Sequence, residues 1–172
     1  MRKIAFILFL FFWADNIIAQ QDIFEIARSG TVDELQKILQ NQPNSIHSVN
    51  KDGYSLLTLA TYRGNNKVAV FLIEKGADIN GKSNYGTPLM AAIVKGNKEI
   101  AEVLVKHNAD VSMTDASGNS ALIYAVLFKQ YDLIPLLLKA KADVHAKDIR
   151  GNSALDYAKI SGDEKLVELL NH

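Results

Sequence analysis

Cysteine is absent from all 172 residues of the chain. That absence removes disulfides, thiolate metal sites and lipid-bearing cysteines in one step. Neither sign of charge dominates: 19 basic and 19 acidic side chains give a formal net charge of +0. Nucleic-acid binders carry a basic footprint, and this composition supplies none. The N-terminal apolar run, Ile4 to Ala14, is eleven residues long, whereas a helix that spans hydrocarbon comfortably needs roughly 20. Also missing are the fixed-spacing signatures of catalysis: no nucleophile elbow, P-loop, dinucleotide fingerprint or zinc-type histidine pair occurs.

What stands at the N-terminus is "MRKIAFILFLFFWADNIIAQQ". A basic start (Arg2, Lys3), the apolar run, polar Asp15 and Asn16, and a closing Ala19 make the layout of a secretory signal peptide. Residues 1–19 therefore read as a signal peptide cut after Ala19, although Ile17 is bulkier than the residue usual three before a cut. Cleavage removes Arg2, Lys3 and Asp15 and leaves 17 basic and 18 acidic residues, a charge near −1. A cysteine-free exported chain suits the bacterial envelope, periplasmic or secreted, better than a disulfide-stapled extracellular module. The other reading of the same segment is an uncleaved anchor that tethers a scaffold to the membrane.

The rest of the chain repeats. Hydroxyl residues stand at Ser55, Thr87, Ser120 and Ser153, separated by 32, 33 and 33 residues, and "GAD", "NAD" and "KAD" follow about twenty residues after the first three. A period in this range signals a stacked array. Each hydroxyl is placed to cap a first helix, and Pro88 suits the opening position of its helix. Small residues follow (Ala60, Ala91 and Ala92, Ala125, Ala158), and Gly64, Gly96 and Gly162 end the helix. Asn65, Asn97 and Asp163 are positioned to cap a second helix. Its apolar residues recur at helical spacing: Val68, Phe71 and Leu72; Ile100, Val103 and Leu104; Leu133, Leu136 and Leu137; Leu166, Leu169 and Leu170. A turn and a short extended hairpin such as "VHAKDIRGN" (144–152) close each unit.

Residues Tyr85 to Asp110, "YGTPLMAAIVKGNKEIAEVLVKHNAD", resemble the ankyrin repeat, and the resemblance runs from about Asp22 to His172. The fold it implies is an all-α repeat solenoid: an ankyrin-type stack of about five helix pairs joined by short β-hairpin loops. The repeat domain is 20–172, with an N-terminal cap unit at 21–52, repeats at 53–84, 85–117 and 118–150, and a C-terminal cap unit at 151–172. Lys165, Glu168 and Asn171 give the last unit the polar face that a terminal unit turns to water. Where the ankyrin pattern has a histidine two residues after the proline, this chain has Thr58, Met90, Ile123 and Asp156. The hydrogen bonds that histidine makes between units must be absent or rebuilt. Lys141 likewise stands where sister units have Gly76 and Asn108.

Isolated polar residues have structural readings. "SGNS" (117–120) is a turn and a helix cap, and "SGDE" (161–164) and "DEL" (33–35) belong to helix ends. His47 and His145 occupy equivalent hairpins three units apart, which at a helix spacing of about 10 Å puts them ~30 Å from each other. They cannot share a metal ion, and His107 sits at the end of a second helix. Asp52, Asp115 and Asp148 are single hairpin carboxylates that brace turns. The chain reads as a non-enzyme without cofactor or metal.

The resemblance implies protein binding through hairpin tips and the concave face of the first helices. The positions that match are Lys51, Asp52 and Tyr54; Ser83 and Asn84; Ala116, Ser117 and Asn119; and Ile149, Arg150 and Asn152 at the tips. On the helix ends they are Tyr62–Arg63, Val94–Lys95, Leu127–Phe128 and Ile160–Ser161. Aromatic and arginine residues are the usual anchors of interfaces. The partner is a protein, with no nucleic acid and no membrane once the signal peptide is removed, and the chain is a monomer on its own. Two roles fit: protector or regulator of an envelope enzyme, or immunity protein against a toxin. The alternative is a ligand-binding or enzymatic site in the concave groove, which requires convergent polar groups near Tyr62 and Lys95. The stretch "AVLFKQYD" (125–132) leaves a question of orientation. Its Lys129 replaces the repeat glycine, so Phe128 faces either the groove or the neighbouring unit. If the N-terminal segment is cleaved as read, N-terminal sequencing of the mature protein starts at Gln20; a start at Met1 counts against cleavage.

Overall fold

The computed structural model describes residues 22–171; the proposed signal peptide and its cut after Ala19 lie outside them. The described residues form ten α-helices in five antiparallel pairs and no strand. Helix α1 (Ile23–Ser29) pairs with α2 (Val32–Asn41), and a 3-10 turn at Pro43–His47 follows. Next come α3 (Leu56–Arg63) with α4 (Asn66–Glu74), and α5 (Pro88–Val94) with α6 (Lys98–Lys106). The last pairs are α7 (Ala121–Leu127) with α8 (Ile134–Lys139), and α9 (Ala154–Ser161) with α10 (Glu164–Leu170). First helices stack on one another in chain order, and α2, α4, α6, α8 and α10 form the outer layer. This is the expected solenoid, with one refinement. Each hairpin is reduced to a single antiparallel bridge: Val49 with Ser55, Ser83 with Gly86, Thr114 with Ser120, and Lys147 with Ser153.

The four hydroxyls start the first helices as their spacing predicts. Ser55, Thr87, Ser120 and Ser153 each accept from the backbone N–H three residues on, satisfying a donor that has no partner within the helix. At Ser153 the bond is reciprocated, because Asp156 accepts from the Ser153 backbone N–H at 2.9 Å. Behind the caps lies one continuous core. Leu56, Leu57, Leu72, Leu89, Met90, Ile93, Ile100, Leu104, Leu122 and Ile123 are fully buried. Ala60, Ala92, Ala125 and Ala158 have no exposure at all, which lets first helices approach closely; Ala91 instead stays half-exposed. Truncating such a leucine to alanine removes about 2–5 kcal/mol.

One expectation at the second helices needs correction. Asn97 and Asp163 do cap α6 and α10. Asn65 does not cap α4; its side-chain amide donates to the carbonyls of Gly30 (2.9 Å) and Ala27 (3.3 Å) in the preceding unit. Those carbonyls close α1, where the last turn leaves acceptors unpaired. In the fourth pair Gln130 stands at the repeat position of Asn65, Asn97 and Asp163, and α8 begins only at Ile134 behind Leu133, with no side-chain cap and with Pro135 in its first turn.

These junction residues also replace the missing histidine network. The Asn97 amide donates to Asn66 at 2.6 Å, and Asn66 donates to Glu99 at 2.7 Å. Between the fourth and fifth units the Tyr131 hydroxyl donates to Asp163 at 2.7 Å, and the Lys129 ammonium lies 3.0 Å from the same oxygen. Lys129 keeps the left-handed turn of its glycine counterparts, with φ of +52°, so α7 stops at Leu127 rather than running on. A Cβ in that region carries a steric cost; here the side chain makes an inter-unit contact that glycine has no atoms to make. Lys141 and Asn108 are left-handed too, at +67° and +63°.

Glycine is needed for a second reason at one hairpin. Gly118 has φ of +77°, and a Cβ there would lie 3.0 Å from the Cα of Asp148 and 3.0 Å from the Ile149 nitrogen, both backbone atoms of the next hairpin. Gly64 has φ of +73° but open space around it. Gly64→Ala is expected to cost about 1 kcal/mol from strain alone, and Gly118→Ala about 2–3 kcal/mol because two hairpins must part as well. Urea unfolding of the two variants checks the order; equal losses would show that hairpin contact contributes nothing.

Candidate binding groove

The hairpins are held rigid by buried carboxylates. Asp115 accepts from the backbone N–H groups of Ser117 and Asn119, both at 2.8 Å, from the Asn119 amide at 3.0 Å and from the Tyr124 hydroxyl at 2.6 Å. Asp148 repeats the arrangement, accepting from Arg150 and Asn152 backbone N–H groups and from the Tyr157 hydroxyl at 2.5 Å. In the first hairpin Asn50, not Asp52, does this work, accepting from the N–H groups of Asp52 and Tyr54. Asp52 is exposed, which corrects its reading as a brace. Because each acid is tied to a tyrosine of its own first helix, the tips are fixed relative to the helices behind them.

Those tips and the first-helix ends enclose a groove of about 580 Å³ lined by residues of the first four helix pairs. Its floor is apolar: Leu59, Met90, Ala91 and Val94. Five aromatic residues stand in its walls. Tyr54 and Tyr85 stack with centroids 5.5 Å apart, Tyr124 and Phe128 are tilted at 6.1 Å, and Tyr62 has the Lys95 ammonium 4.9 Å above its ring. Arg28 and Arg63 also line it, with Arg28 bonded to Glu25. A second hollow between the first two tips shares Asp52 and Tyr85 and adds Lys51, Lys82 and Asn84.

Of the positions read from sequence, the groove collects Asp52, Tyr54, Tyr62, Arg63, Val94 and Phe128. Lys51 and Asn84 line the adjoining hollow, and Lys95 covers Tyr62. Phe128 is half-exposed and faces the groove, which answers the question of orientation. Leu127, Ile149, Arg150 and Ile160 are exposed but outside it, as is half-buried Asn152. Asn119 requires a correction: it is 93% removed from solvent because it braces Asp115, with only 7% of its surface exposed.

Several groove residues escaped the sequence reading: Arg28, Asn50, Tyr85 and Tyr124. Tyr85 was legible only through the 32-residue spacing, because the second hairpin is one residue shorter. That shortening closes its turn on Gly86 and leaves Tyr85 68% exposed beside Tyr54. Tyr124 had a clearer signal, since it follows Asp115 by nine residues as Tyr157 follows Asp148. Near Tyr62 and Lys95, the one acid lining the groove is Asp52 among the described residues, so no acid–base pair converges there. Among the described residues no cluster of histidine, aspartate or glutamate is arranged to hold a metal ion, and no helix is long and apolar enough to cross a membrane.

A family model for ankyrin repeats (three copies) matches residues 23–115 and 82–148. The chain belongs to the ankyrin-repeat family. It is similar to the ankyrin repeat and SAM domain-containing protein 6 of Rattus norvegicus, 33% identical over 113 residues, and to that of Mus musculus, 32% identical over 113 residues. Each match covers 64% of this chain and 13% of the relative. Ankyrin repeats are in general non-enzymatic modules that mediate protein–protein interaction.

The hairpin acids give the array a defined pH response. Burial pushes the Asp115 carboxyl up, but hydrogen bonds from Tyr124, Asn119 and Ser117 outweigh it and hold the group below its usual range. The Tyr157 hydroxyl, above all, lowers Asp148, and Tyr131 with Lys129 lowers Asp163. Depressed carboxylates stabilise the fold fully above their unfolded value near ~4 and lose that contribution as pH falls through the folded one. Tyr124 works in the opposite sense: burial and Asp115 push it up from 10.0 to about 12, so its contribution is lost as pH rises across that interval. Unfolding free energy measured against pH is expected to be flat near neutrality and to fall on both sides. Tyr124→Phe should make the alkaline arm shallower; an unchanged arm would count against the assignment.

Proposed function

We propose that the chain is a non-catalytic binding module that holds a partner protein in the groove along its first helices. The observation that carries this reading is the set of five solvent-accessible aromatic residues converging on an apolar floor from three successive units. Aromatic side chains bring large contact area with few rotatable bonds, which is why they anchor interfaces. An unpartnered aromatic groove on a repeat scaffold is a surface kept open for contact. The Asn50 brace of the first hairpin supports the same reading, since a pre-formed site loses little conformational freedom on binding.

The module acts outside the cytoplasm, exported by residues 1–19 to the periplasm or the medium of a bacterial cell. The basic start, the eleven-residue apolar run and the lack of cysteine support export. Its partner is an envelope enzyme that it protects or regulates, or a toxin that it masks, and the module meets that partner as a monomer. Titration of the partner separates the two roles, because a masking protein binds tightly at one to one and a protector binds weakly.

The test is a double substitution, Tyr62→Ala with Phe128→Ala. Both residues are about half-exposed, at 47% and 50%, so their loss should lower the thermal midpoint by only a few degrees. Capture of the partner from an envelope extract is expected to fall about tenfold or more. A double variant that unfolds would show that the two residues are core; one that folds and captures normally would remove the groove from the interface.

A further inference from the structure

The net charge of the chain is zero, but the charges around the groove are not balanced. Lys51, Arg63, Lys82 and Lys95 are exposed around the groove and the adjoining hollow. Among the described residues none of them has a carboxylate within ion-pair distance. Asp52 is the one acid lining either hollow among those residues, and Glu25 is engaged by Arg28. The acids that the repeat places in later hairpins, Asp115 and Asp148, are turned inward onto tyrosine hydroxyls and backbone N–H groups. On the outer helices, by contrast, exposed acids such as Glu74, Glu99, Glu102 and Glu164 are interspersed with exposed lysines such as Lys67, Lys98, Lys106 and Lys165.

We propose that the groove takes an extended acidic segment of its partner, seating apolar side chains between the aromatic walls and setting carboxylates against the lysine and arginine rim. This rests on the reading above that the groove binds protein, and it adds the chemistry of the bound segment. Complementary rim charges steer encounter and fix register, while the aromatic walls supply the anchoring contact. A basic segment would meet four unpaired cations and a single acid. Single-stranded nucleic acid shares the negative charge but binds by stacking bases on open aromatic faces. Here Tyr54 and Tyr85 already stack on each other, and Lys95 covers Tyr62. The site also differs along the array: the groove ends at Phe128 and takes in no residue of the last unit. The acidic segment therefore lies over the first four helix pairs.

The experiment uses fluorescein-labelled peptides on the whole mature chain, read by anisotropy. One peptide repeats Asp-Leu-Glu-Trp, a second Lys-Leu-Arg-Trp and a third Ser-Leu-Gln-Trp, each of twelve residues; a thymidine oligomer of the same length is the fourth probe. The acidic peptide is expected to bind about tenfold more tightly than either other peptide, with the difference narrowing as salt rises from 50 to 300 mM. Arg63→Glu with Lys95→Glu should weaken the acidic peptide about tenfold more than it weakens the neutral one, and should flatten the salt dependence of the acidic peptide. Phe128→Ala should weaken acidic and neutral peptides alike. Equal or tighter binding of the basic peptide or the oligomer, indifference to the charge reversal, or no binding of any peptide overturns the proposal. Failure of the underlying reading shows elsewhere, as undiminished partner capture by the folded Tyr62/Phe128 double variant.

Discussion

Each helix pair leaves an apolar face that only the next pair can cover, and everything else in the molecule follows from that dependence. Leu89, Met90 and Ile93 of α5 are fully buried because α3 lies on one side and α7 on the other. A single pair would expose most of that surface and could not offset the entropy of ordering its chain. Stacking sets the spacing of the first helices, and that spacing sets where hairpin tips and helix ends fall. The groove is thus a by-product of core burial, decorated by residues that the core does not need.

The polar contacts refine this arrangement rather than drive it. Where the family uses a histidine to join units, this chain has buried Met90 and Ile123 and relocates the joints to the turns between helices. Asn65, Asn97 and Asp163 occupy one repeat position and solve three local problems: closing α1, capping α6 while contacting Asn66, and receiving Tyr131 and Lys129. In each case a buried or half-buried donor or acceptor finds a partner that would otherwise be water. Lys129 shows how a departure from the repeat can be retained. Its left-handed backbone is disfavoured, but the turn persists and the side chain reaches the next unit.

The array is not equivalent along its length. Over the first four pairs the tip and helix-end positions hold Tyr54, Tyr62, Tyr85, Tyr124 and Phe128 around one hollow. Beyond the groove the apolar residues Ile149 and Ile160 are exposed singly, and isolated apolar residues on a surface are ordinary. A one-residue shortening of the second hairpin is what brings Tyr85 against Tyr54. A small change in loop length therefore alters the composition of a contact surface without disturbing the repeat beneath it.

Much of this was legible in the sequence. The 32- and 33-residue spacing of Ser55, Thr87, Ser120 and Ser153 determined the helix starts, since a hydroxyl cap acts on a backbone N–H three residues away and needs no tertiary context. The apolar periodicity determined which faces are buried, for the same local reason. Contacts between units were not legible, because they depend on which side chains the stack brings within 3 Å. Asn65 looks like a cap and instead reaches back to Gly30; Asn119 looks like an exposed tip and instead braces Asp115. Phe128 had two possible directions until the left-handed turn at Lys129 stopped α7 and pointed its ring into the groove. Local hydrogen bonds and hydrophobic period belong to the sequence itself; long-range proximity exists only once the helices have stacked.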